Sequence, residues 1–176
     1  HEPQHTLGRI VVFIDADHAG DKDRSRSTTS YRVFWRRNLL HNKVRIHKIV
    51  ALTTCEAEWV GVAEAAKKVI WILELLRSAR ISMRDIPIFY CDNAEVCMAV
   101  KNYFMSDANR HIRMRYWFIR DLEVSQMIRI RKVATGLNVA DIGTKSLDKS
   151  TFNRHDDVQM GYGPWPMDED KDEDVI

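Results

Sequence analysis

The residues best suited to chemistry in this sequence are acids that follow apolar runs or lie inside helical patterns. Asp15 and Asp92 follow short apolar runs. Glu56 and Glu58 lie near the start of a long helical pattern, and Asp141 lies in a late segment. Ligand sites in open sheets lie at the carboxyl ends of strands, so Asp15 and Asp92 are expected to meet there. Crowded carboxylates raise each other's pKa unless a cation neutralises them. Their hard oxygens suit Mg²⁺ or Mn²⁺, and two such ions can stabilise both oxygens of a phosphoryl displacement.

Several acids in such positions are stronger evidence for a shared site than any one of them. For a single acid, a helix cap or a turn residue is the simpler interpretation. Four acids at strand ends and helix starts favour a shared site. Residues two apart on a helix point about 200° apart, so Glu56 and Glu58 cannot both face the same ions.

Length and composition indicate one globular domain of 176 residues, 45% hydrophobic and 30% charged. No window approaches eighteen uninterrupted apolar residues, which excludes a transmembrane helix. The three cysteines form no CxxC pair, so we expect neither a disulfide framework nor a zinc site, and a reducing compartment is favoured. The chain starts at His1 without a Met, as expected of a fragment.

The net charge of +2 conceals an uneven distribution. The last nine residues hold six acids and one base, and without them the rest of the chain carries 26 bases and 19 acids, a net charge of +7. A basic body indicates a polyanionic partner. A solvated surface with a solubilising tail explains the same charges, and composition does not separate the two interpretations.

Hydrophobic periodicity predicts a mixed α/β sheet with helices on its faces, in the order β-β-β-α-β-α-α-β-α. The predicted strands are 9–14, 31–35, 39–52, 86–91 and 127–133, the first of them buried on both faces. The predicted helices run from 53 or 54 to about 76 and over 94–102 and 110–125, and a terminal helix is predicted to start within 139–145. We predict a hairpin turn at Arg36-Arg37-Asn38, because Asn tolerates positive φ. The expected domain covers 9–158, between a leader over 1–8 and a flexible acidic tail over 159–176.

Five segments occur in an order that resembles a known family. They are FIDADHAGDKDRSRSTTSY (13–31), IVALTTCEAEWVGVAEA (49–65), FYCDN (89–93), HIRMRYWFIRD (111–121) and NVADIGTKSL (138–147). Together they resemble the ribonuclease H domain of copia-type LTR retrotransposon reverse transcriptases, over roughly 10–152. The resemblance implies a ribonuclease H-like fold, with a mixed five-stranded sheet flanked by helices.

The resemblance also implies a site and an activity. The catalytic and metal-binding acids would be Asp15, Glu58, Asp92 and Asp141, whereas Asp17 lies beyond the position usually assigned to metal. The order Asp, Glu, Asp, Asp differs from that of an integrase, whose Glu comes last. The implied activity is two-metal cleavage of the RNA strand of RNA–DNA hybrids with Mg²⁺ or Mn²⁺. The implied partner is the polymerase portion of the same Pol polyprotein, and no membrane association is expected. The implied location is cytoplasmic retrotransposon particles or the nucleus.

Several positions depart from the family pattern without removing a carboxylate. His18 stands where the family commonly has Trp, and Ser30 and Arg36-Arg37 stand where it has Gly. Gly143 and Ser146 replace a bulkier residue and a Pro. These departures leave an alternative open: a catalytically weak or inactive ribonuclease H-like module that binds nucleic acid. A further alternative is an interaction domain that uses its acidic tail.

Two basic clusters indicate phosphate contact. The segment 22–48 contains nine Lys and Arg against one acid, and 110–132 contains seven against two. We expect nucleic acid to contact Arg110, Arg113 and Arg115, and Asn93 beside the acidic site. The competing interpretation of 110–132 is a solvated helix, and we expect its Trp117 and Phe118 to pack in the core.

Overall fold

The computed structural model describes residues 8–21, 26–47, 54–83, 85–101 and 113–169. Its strands are β1 (Ile10–Asp21), β2 (Arg26–Trp35), β3 (Asn38–Ile46), β4 (Ile88–Cys91) and β5 (Arg129–Lys132). They form one five-stranded sheet of order β3-β2-β1-β4-β5. The first three strands are antiparallel, and β4 and β5 run parallel to β1. The predicted mixed sheet is confirmed.

The helices are α1 (Thr54–Ser78), α2 (Ala94–Lys101), α3 (Arg113–Val124), α4 (Lys149–Met160) and α5 (Pro166–Glu169). The helix start predicted within 139–145 is wrong, because Val139–Gly143 forms a short 3₁₀ segment. The last long helix, α4, begins after Asp148, whose side chain accepts hydrogen bonds from the backbone of Ser150 and Thr151. Among the described helices, none has both the length and the apolarity needed to cross a membrane.

Strand β1 separates two parts of the core. Its residues Ile10, Val12 and Ile14 pack on the α1 face of the sheet, in a core cluster that also includes residues of α3. Val11 and Phe13 point to the other face, where they pack with residues from the 3₁₀ segment and α4. All five side chains are buried, so the prediction of a first strand buried on both faces is confirmed.

Helix α1 lies unusually close to the sheet at Gly61. A Cβ atom at this position would lie 2.7 Å from Cγ2 of Thr29 and 3.3 Å from Cγ2 of Ile14. Such distances leave no room for a side chain, so the glycine permits the close approach. Because Glu58 lies one turn before Gly61 on α1, this contact brings Glu58 to the sheet.

The β2–β3 turn lies where the sequence predicts it, but for another reason. Arg36 and Arg37 both have positive φ, 52° and 65°, as two-residue hairpin turns require. Asn38 is already the first residue of β3, and its Nδ2 donates a hydrogen bond to the carbonyl of Arg36 at 3.0 Å. The turn therefore places two arginines in the left-handed region, and the role predicted for Asn38 is wrong.

The packed part of the chain extends past the boundary predicted at 158. Trp165 is buried, and its ring centroid lies 5.8 Å from that of Phe13 and 5.2 Å from that of Phe34. Met167 packs against the same cluster. The segment between α4 and α5 is thus part of the core, and residues 170–176 lie outside the described part of the chain.

Candidate active site

Sheet register brings Asp15 and Asp92 together. The parallel pairing of β1 and β4 ends with Ile14 opposite Cys91, so the next residue of each segment is one of the two aspartates. Asp15 is buried and the side chain of Asp92 is 13% exposed. Strand β1 itself continues to Asp21 in its pairing with β2, so the expected strand end at Ile14 is wrong. The acids nevertheless meet at the predicted edge of the β1–β4 pair.

The first turns of α1 supply Glu58 to this edge. Its side chain is 2% exposed and accepts a hydrogen bond from the thiol of Cys91, with 3.6 Å between Sγ and Oε2. The backbone of Ala16 also bonds this carboxylate. Glu58 belongs to a group of possible metal ligands with Cys91 and Asp92. The structure therefore places Glu58, rather than the half-buried Glu56, at the site.

The 3₁₀ segment supplies Asp141, and buried Asn138 holds this segment against β1. The Nδ2 of Asn138 donates to the carbonyl of Ile14 at 2.9 Å, and its Oδ1 accepts from the backbone of Ala140 at 3.2 Å. One side chain thus joins the residue before Asp15 to the residue before Asp141. The local sequence pattern does not predict this contact, because it spans 124 residues.

A lysine lies among the three aspartates. Nζ of Lys145 is 3.0 Å from Asp15 Oδ1, 3.1 Å from Asp141 Oδ1 and 3.6 Å from Asp92 Oδ2. The hydroxyl of Thr144 donates to the other oxygen of Asp15. Sequence reasoning missed both residues, although the Asp141-to-Lys145 spacing is the i,i+4 spacing of helical ion pairs.

The carboxylates lie in a strongly negative environment. The pKa of Glu58 is held well above its usual range by burial first, and then by the negative charges of Asp15 and Asp92. Burial and Asp15 also raise the pKa of Asp141 to about 7, although Lys145 opposes this. The pKa of Asp92 is raised by the same two causes, burial first. Burial lowers the pKa of Lys145, but Asp15 and Asp141 outweigh it and raise the pKa overall.

The residues of the site fit a divalent metal ion. Ligand oxygens of Asp15, Asp92 and Asp141 lie within 4.8 Å of one another, and ligand atoms of Glu58, Cys91 and Asp92 do the same. Carboxylate oxygens are the donors that Mg²⁺ and Mn²⁺ prefer. The ammonium of Lys145 shows that the aspartates already hold a positive charge at their centre. These acidic groups can therefore hold a metal ion.

The residues predicted to contact nucleic acid lie in different settings. Arg113 and Arg115 are exposed in the first turn of α3, and Arg110 lies outside the described residues. Burial lowers the pKa of His47, and the charges of Arg45 and then Arg115 lower it further, against the opposing charge of Glu64. Asn93 begins α2, and its Oδ1 accepts from the backbone of Glu95 and Val96 at 2.9 and 3.2 Å. Contact of these residues with nucleic acid stays a prediction.

The basic residues that the structure describes between 26 and 47 do not all face solvent. Arg32 is buried, and it donates to Gln159 Oε1 at 2.7 Å and Ser30 Oγ at 2.8 Å. Lys43 and Arg45 both pair with Glu64 on α1, at 2.9 and 2.5 Å. The described arginines and lysines of this segment therefore serve packing and local ion pairs as well as surface charge.

The aromatic residues of α3 divide differently from the prediction. Phe118 packs against the core as expected, but Trp117 is 37% exposed. The buried ring is Tyr116, whose centroid lies 5.4 Å from that of Trp59 on α1. The expectation that Trp117 packs in the core is wrong, because Tyr116 faces α1.

The 3₁₀ segment that carries Asp141 packs closely on the sheet at Gly143. A Cβ atom at Gly143 would lie 2.9 Å from Cβ of Ser30 and 2.7 Å from Cγ2 of Val44. The glycine therefore permits this close approach of the segment to β2 and β3.

Known proteins are similar to this chain over most of its length, although no protein-family model matches it. The chain is 30% identical over 140 residues to the retrovirus-related Pol polyprotein from transposon TNT 1-94 of Nicotiana tabacum. It is 33% identical over 143 residues to that from transposon RE1 of Arabidopsis thaliana. These matches cover 80% and 81% of this chain but only 10% of each relative.

Solved structures share the fold. The crystal structure of LC11-RNase H1 in complex with an RNA/DNA hybrid matches with a TM-score of 0.58 at 11% identity, covering 77% of this chain and 94% of that chain. Prototype Foamy Virus protease-reverse transcriptase matches with a TM-score of 0.51 at 14% identity, covering 92% and 21%. The fold and the acidic edge of the sheet therefore define a ribonuclease H-like domain. More particularly, the sequence is similar to a segment that makes up 10% of retrovirus-related Pol polyproteins from copia-type transposons.

Proposed function

We propose that this domain is a metal-dependent endoribonuclease that cuts the RNA strand of RNA–DNA hybrids within a retrotransposon reverse transcriptase. The observation that carries the proposal is the convergence of four acids from four separate segments at one edge of the sheet: Asp15, Glu58, Asp92 and Asp141. A module that only binds nucleic acid has no need for crowded buried carboxylates, which cost stability. The Pol polyprotein relatives and the hybrid-bound LC11-RNase H1 support the same assignment.

The acids would share the metal-binding work by position. Asp15, Asp92 and Asp141 form one ligand group, and Glu58 joins Asp92 from the α1 side. Two bound divalent ions would supply an activated water and stabilise the departing oxygen of the phosphodiester. The protein's own contribution is to orient the ligands: Thr144 bonds Asp15, and Asn138 holds the segment of Asp141. Hydrogen bonds to ligands of this kind keep a metal site in its binding geometry.

A cleavage assay on a labelled RNA–DNA hybrid tests the function. The domain should cut the RNA strand in Mg²⁺ or Mn²⁺ and spare single-stranded and duplex DNA. Each of Asp15→Asn, Glu58→Gln, Asp92→Asn and Asp141→Asn should lose most of the cleavage, and Asp17→Asn and Glu56→Gln should retain most of it. Cleavage in EDTA would contradict the metal-dependent mechanism. Binding without cleavage in either ion would favour the binding module.

The exposed arginines of α3 are proposed to position the substrate. Phosphate contacts set affinity and register, and they make binding dependent on salt. Arg113→Ala with Arg115→Ala should weaken hybrid binding and reduce the slope of log affinity against log salt by roughly one for each phosphate that is no longer neutralised. Cleavage at saturating hybrid should change little. An unchanged salt slope would favour a surface that docks on the polymerase portion.

A further inference from the structure

Lys145 contacts the carboxylates that a metal ion would need. Its Nζ lies 3.0 and 3.1 Å from oxygens of Asp15 and Asp141, and 3.6 Å from Asp92. A Mg²⁺ ion bound by the same oxygens would bring a second positive charge to these carboxylates, where it and the ammonium repel each other. The two cations therefore compete for these aspartates.

We propose that Lys145 is an internal counter-cation that competes with a divalent ion for Asp15, Asp92 and Asp141, so that an ion enters only when the side chain moves out. The proposal deepens the proposed function, because it concerns how the same carboxylates acquire their metal. It assigns Lys145 a positioning role, since its charge holds the three aspartates together until the ion replaces it.

The side chain is free to make this movement. Lys145 follows the 3₁₀ segment, where its backbone N–H donates to the carbonyl of Asp141 at 2.9 Å. Its side chain is 34% exposed, so one face already contacts water. A change of side-chain rotamer can carry the ammonium outwards without breaking the backbone hydrogen bond. Thr144, which bonds the second oxygen of Asp15, keeps that carboxylate oriented while Lys145 leaves.

The competition affects the two ligand groups unequally. The ammonium contacts the group of Asp15, Asp92 and Asp141, whereas Glu58 lies on the α1 side with the thiol of Cys91 as its donor. The contact of the ammonium with Asp92, at 3.6 Å, is the longest of the three, so an ion between Glu58 and Asp92 should meet the least competition. A second ion, at Asp15 and Asp141, must displace the ammonium. The protein should bind one divalent ion more tightly than the other, and Lys145 should be the cause of the difference.

Titration calorimetry with Mn²⁺, without nucleic acid, tests the competition. Lys145→Met removes the charge and keeps the length of the side chain, so the weaker ion should bind more tightly, by at least about tenfold. This factor assumes that the ammonium occupies the aspartates in about nine-tenths of the metal-free molecules, which lowers the apparent ion affinity about tenfold. Lys145→Arg should bind like the wild type. Lys149→Met, at an exposed lysine in the first turn of α4, is the matched control and should not change either affinity.

Thermal unfolding supplies a readout that does not depend on titration of the second ion. Without metal, Lys145→Met should unfold at a lower temperature than the wild type, since three buried or half-buried aspartates lose their cation. Saturating Mg²⁺ should close most of that gap. The Lys149→Met control should show no such gap.

The opposite results would overturn the proposal. If Lys145 served only as structural support, its replacement by Met would misplace the aspartates, and ion affinity would fall or stay the same. Failure of Lys145→Met to bind a second ion also overturns it. Hybrid cleavage is not needed for either measurement. Tighter ion binding without any cleavage would therefore support the role of Lys145 and contradict the proposed enzymatic function.

Discussion

Glu58 shows the conflict between function and stability at the scale of one residue. It is buried beside two other acids, and burial, Asp15 and Asp92 raise its pKa. Lys145 neutralises the aspartates on the far side of the site, but the donors to Glu58 are the Cys91 thiol and the Ala16 backbone. A carboxylate held in this way destabilises the fold until a metal ion binds.

Replacing Glu58 by Gln should therefore stabilise the metal-free protein while removing metal binding. At pH 8 we expect metal-free Glu58→Gln to unfold a few degrees above the wild type, since the amide replaces a buried carboxylate beside two other acids, and a typical single-substitution effect of about 1 kcal/mol shifts Tm by roughly 2–4 °C. Mg²⁺ should stabilise the wild type but have a much smaller effect on the variant. Calorimetry or circular dichroism with and without Mg²⁺ measures both.

Glu56→Gln is the matched control, because it makes the same change two residues earlier on α1. It should leave the response to Mg²⁺ intact. A Glu58→Gln protein that is less stable without metal, or that retains the full response to Mg²⁺, would show that Glu58 is not an unneutralised metal ligand.

His155 predicts a pH dependence outside the acidic site. It is 1% exposed on α4, and among the described residues its Nε2 has no hydrogen-bond partner. Burial, followed by the charge of Arg154, lowers its pKa to about 4. Between pH 6.5 and 4 the unfolded chain binds a proton that the folded protein does not. The stability due to neutral His155 is therefore present above pH 6.5 and is lost as the pH falls towards 4.

His155→Leu should remove this dependence. As the pH falls from 7 to 4, the wild type should lose up to about 3 kcal/mol of unfolding free energy relative to the variant, because each unit of pKa difference corresponds to about 1.4 kcal/mol. Urea unfolding of both proteins across this pH range measures the difference in their unfolding free energies. The acids common to both proteins contribute equally to each, so their titration cancels in that difference. Parallel curves for the two proteins would show that His155 binds its proton equally well in the folded state.

At the scale of elements, the contact between α1 and the sheet decides where Glu58 lies. Ala has a better helix propensity than Gly by about 1 kcal/mol, so Gly61→Ala would stabilise an unpacked helix. Here its Cβ would meet Thr29 at 2.7 Å and Ile14 at 3.3 Å, both on strands inside the sheet. We expect Gly61→Ala to destabilise the protein by roughly 1–3 kcal/mol in urea unfolding, the usual cost of overpacking.

Gly136→Ala is the control for this prediction. A Cβ at Gly136 would have its nearest neighbour at 3.9 Å, the Nη2 atom of Arg154, which is an ordinary contact at the end of a flexible side chain. The variant should lie within about 0.5 kcal/mol of the wild type, as most substitutions outside packed contacts do. Equal effects of the two substitutions would mean that α1 can move away from the sheet at little cost.

At the scale of the whole molecule, the C-terminal segment closes the face of the sheet opposite α1. Trp165 packs on Phe13 and Phe34, and the guanidinium of Arg37 lies 6.0 Å from its ring centroid. Gln159 accepts a hydrogen bond from the buried Arg32. This segment therefore covers an aromatic cluster and supplies an acceptor to a buried cation.

A chain that ends at 158 should be far less stable than one that ends at 169. Removing a buried Trp costs about 3–5 kcal/mol, and Arg32 is also deprived of an acceptor. For a domain of this size, that change lowers Tm by roughly 10 °C. Because the shorter chain could fail to fold, Trp165→Ala in the longer chain provides a second measurement with the same expected direction. Equal Tm values for the chains ending at 158 and 169 would place the domain boundary where the composition predicts it.

The sequence by itself determined the local properties of this protein. The unbroken apolar run before Asp15 predicted a strand buried on both faces, because burial is encoded by residue type. The three-residue window around Arg36 and Arg37 predicted the hairpin, because a turn is a local structure. Helical geometry alone excluded a site that uses both Glu56 and Glu58, and the family resemblance selected Glu58. The family resemblance added the four acids in their order.

The tertiary structure decided what depends on residues distant in the chain. Helical periodicity over 139–145 predicted the start of a helix, but Asn138 bonds Ile14 across 124 residues and the segment forms a 3₁₀ turn instead. Lys145 reaches Asp15 across 130 residues, and no local pattern specifies that pair. The burial of Trp165 likewise depends on the face of β1 that it meets. Such contacts are set by sheet register and by the packing of whole elements, and local periodicity carries no information about either.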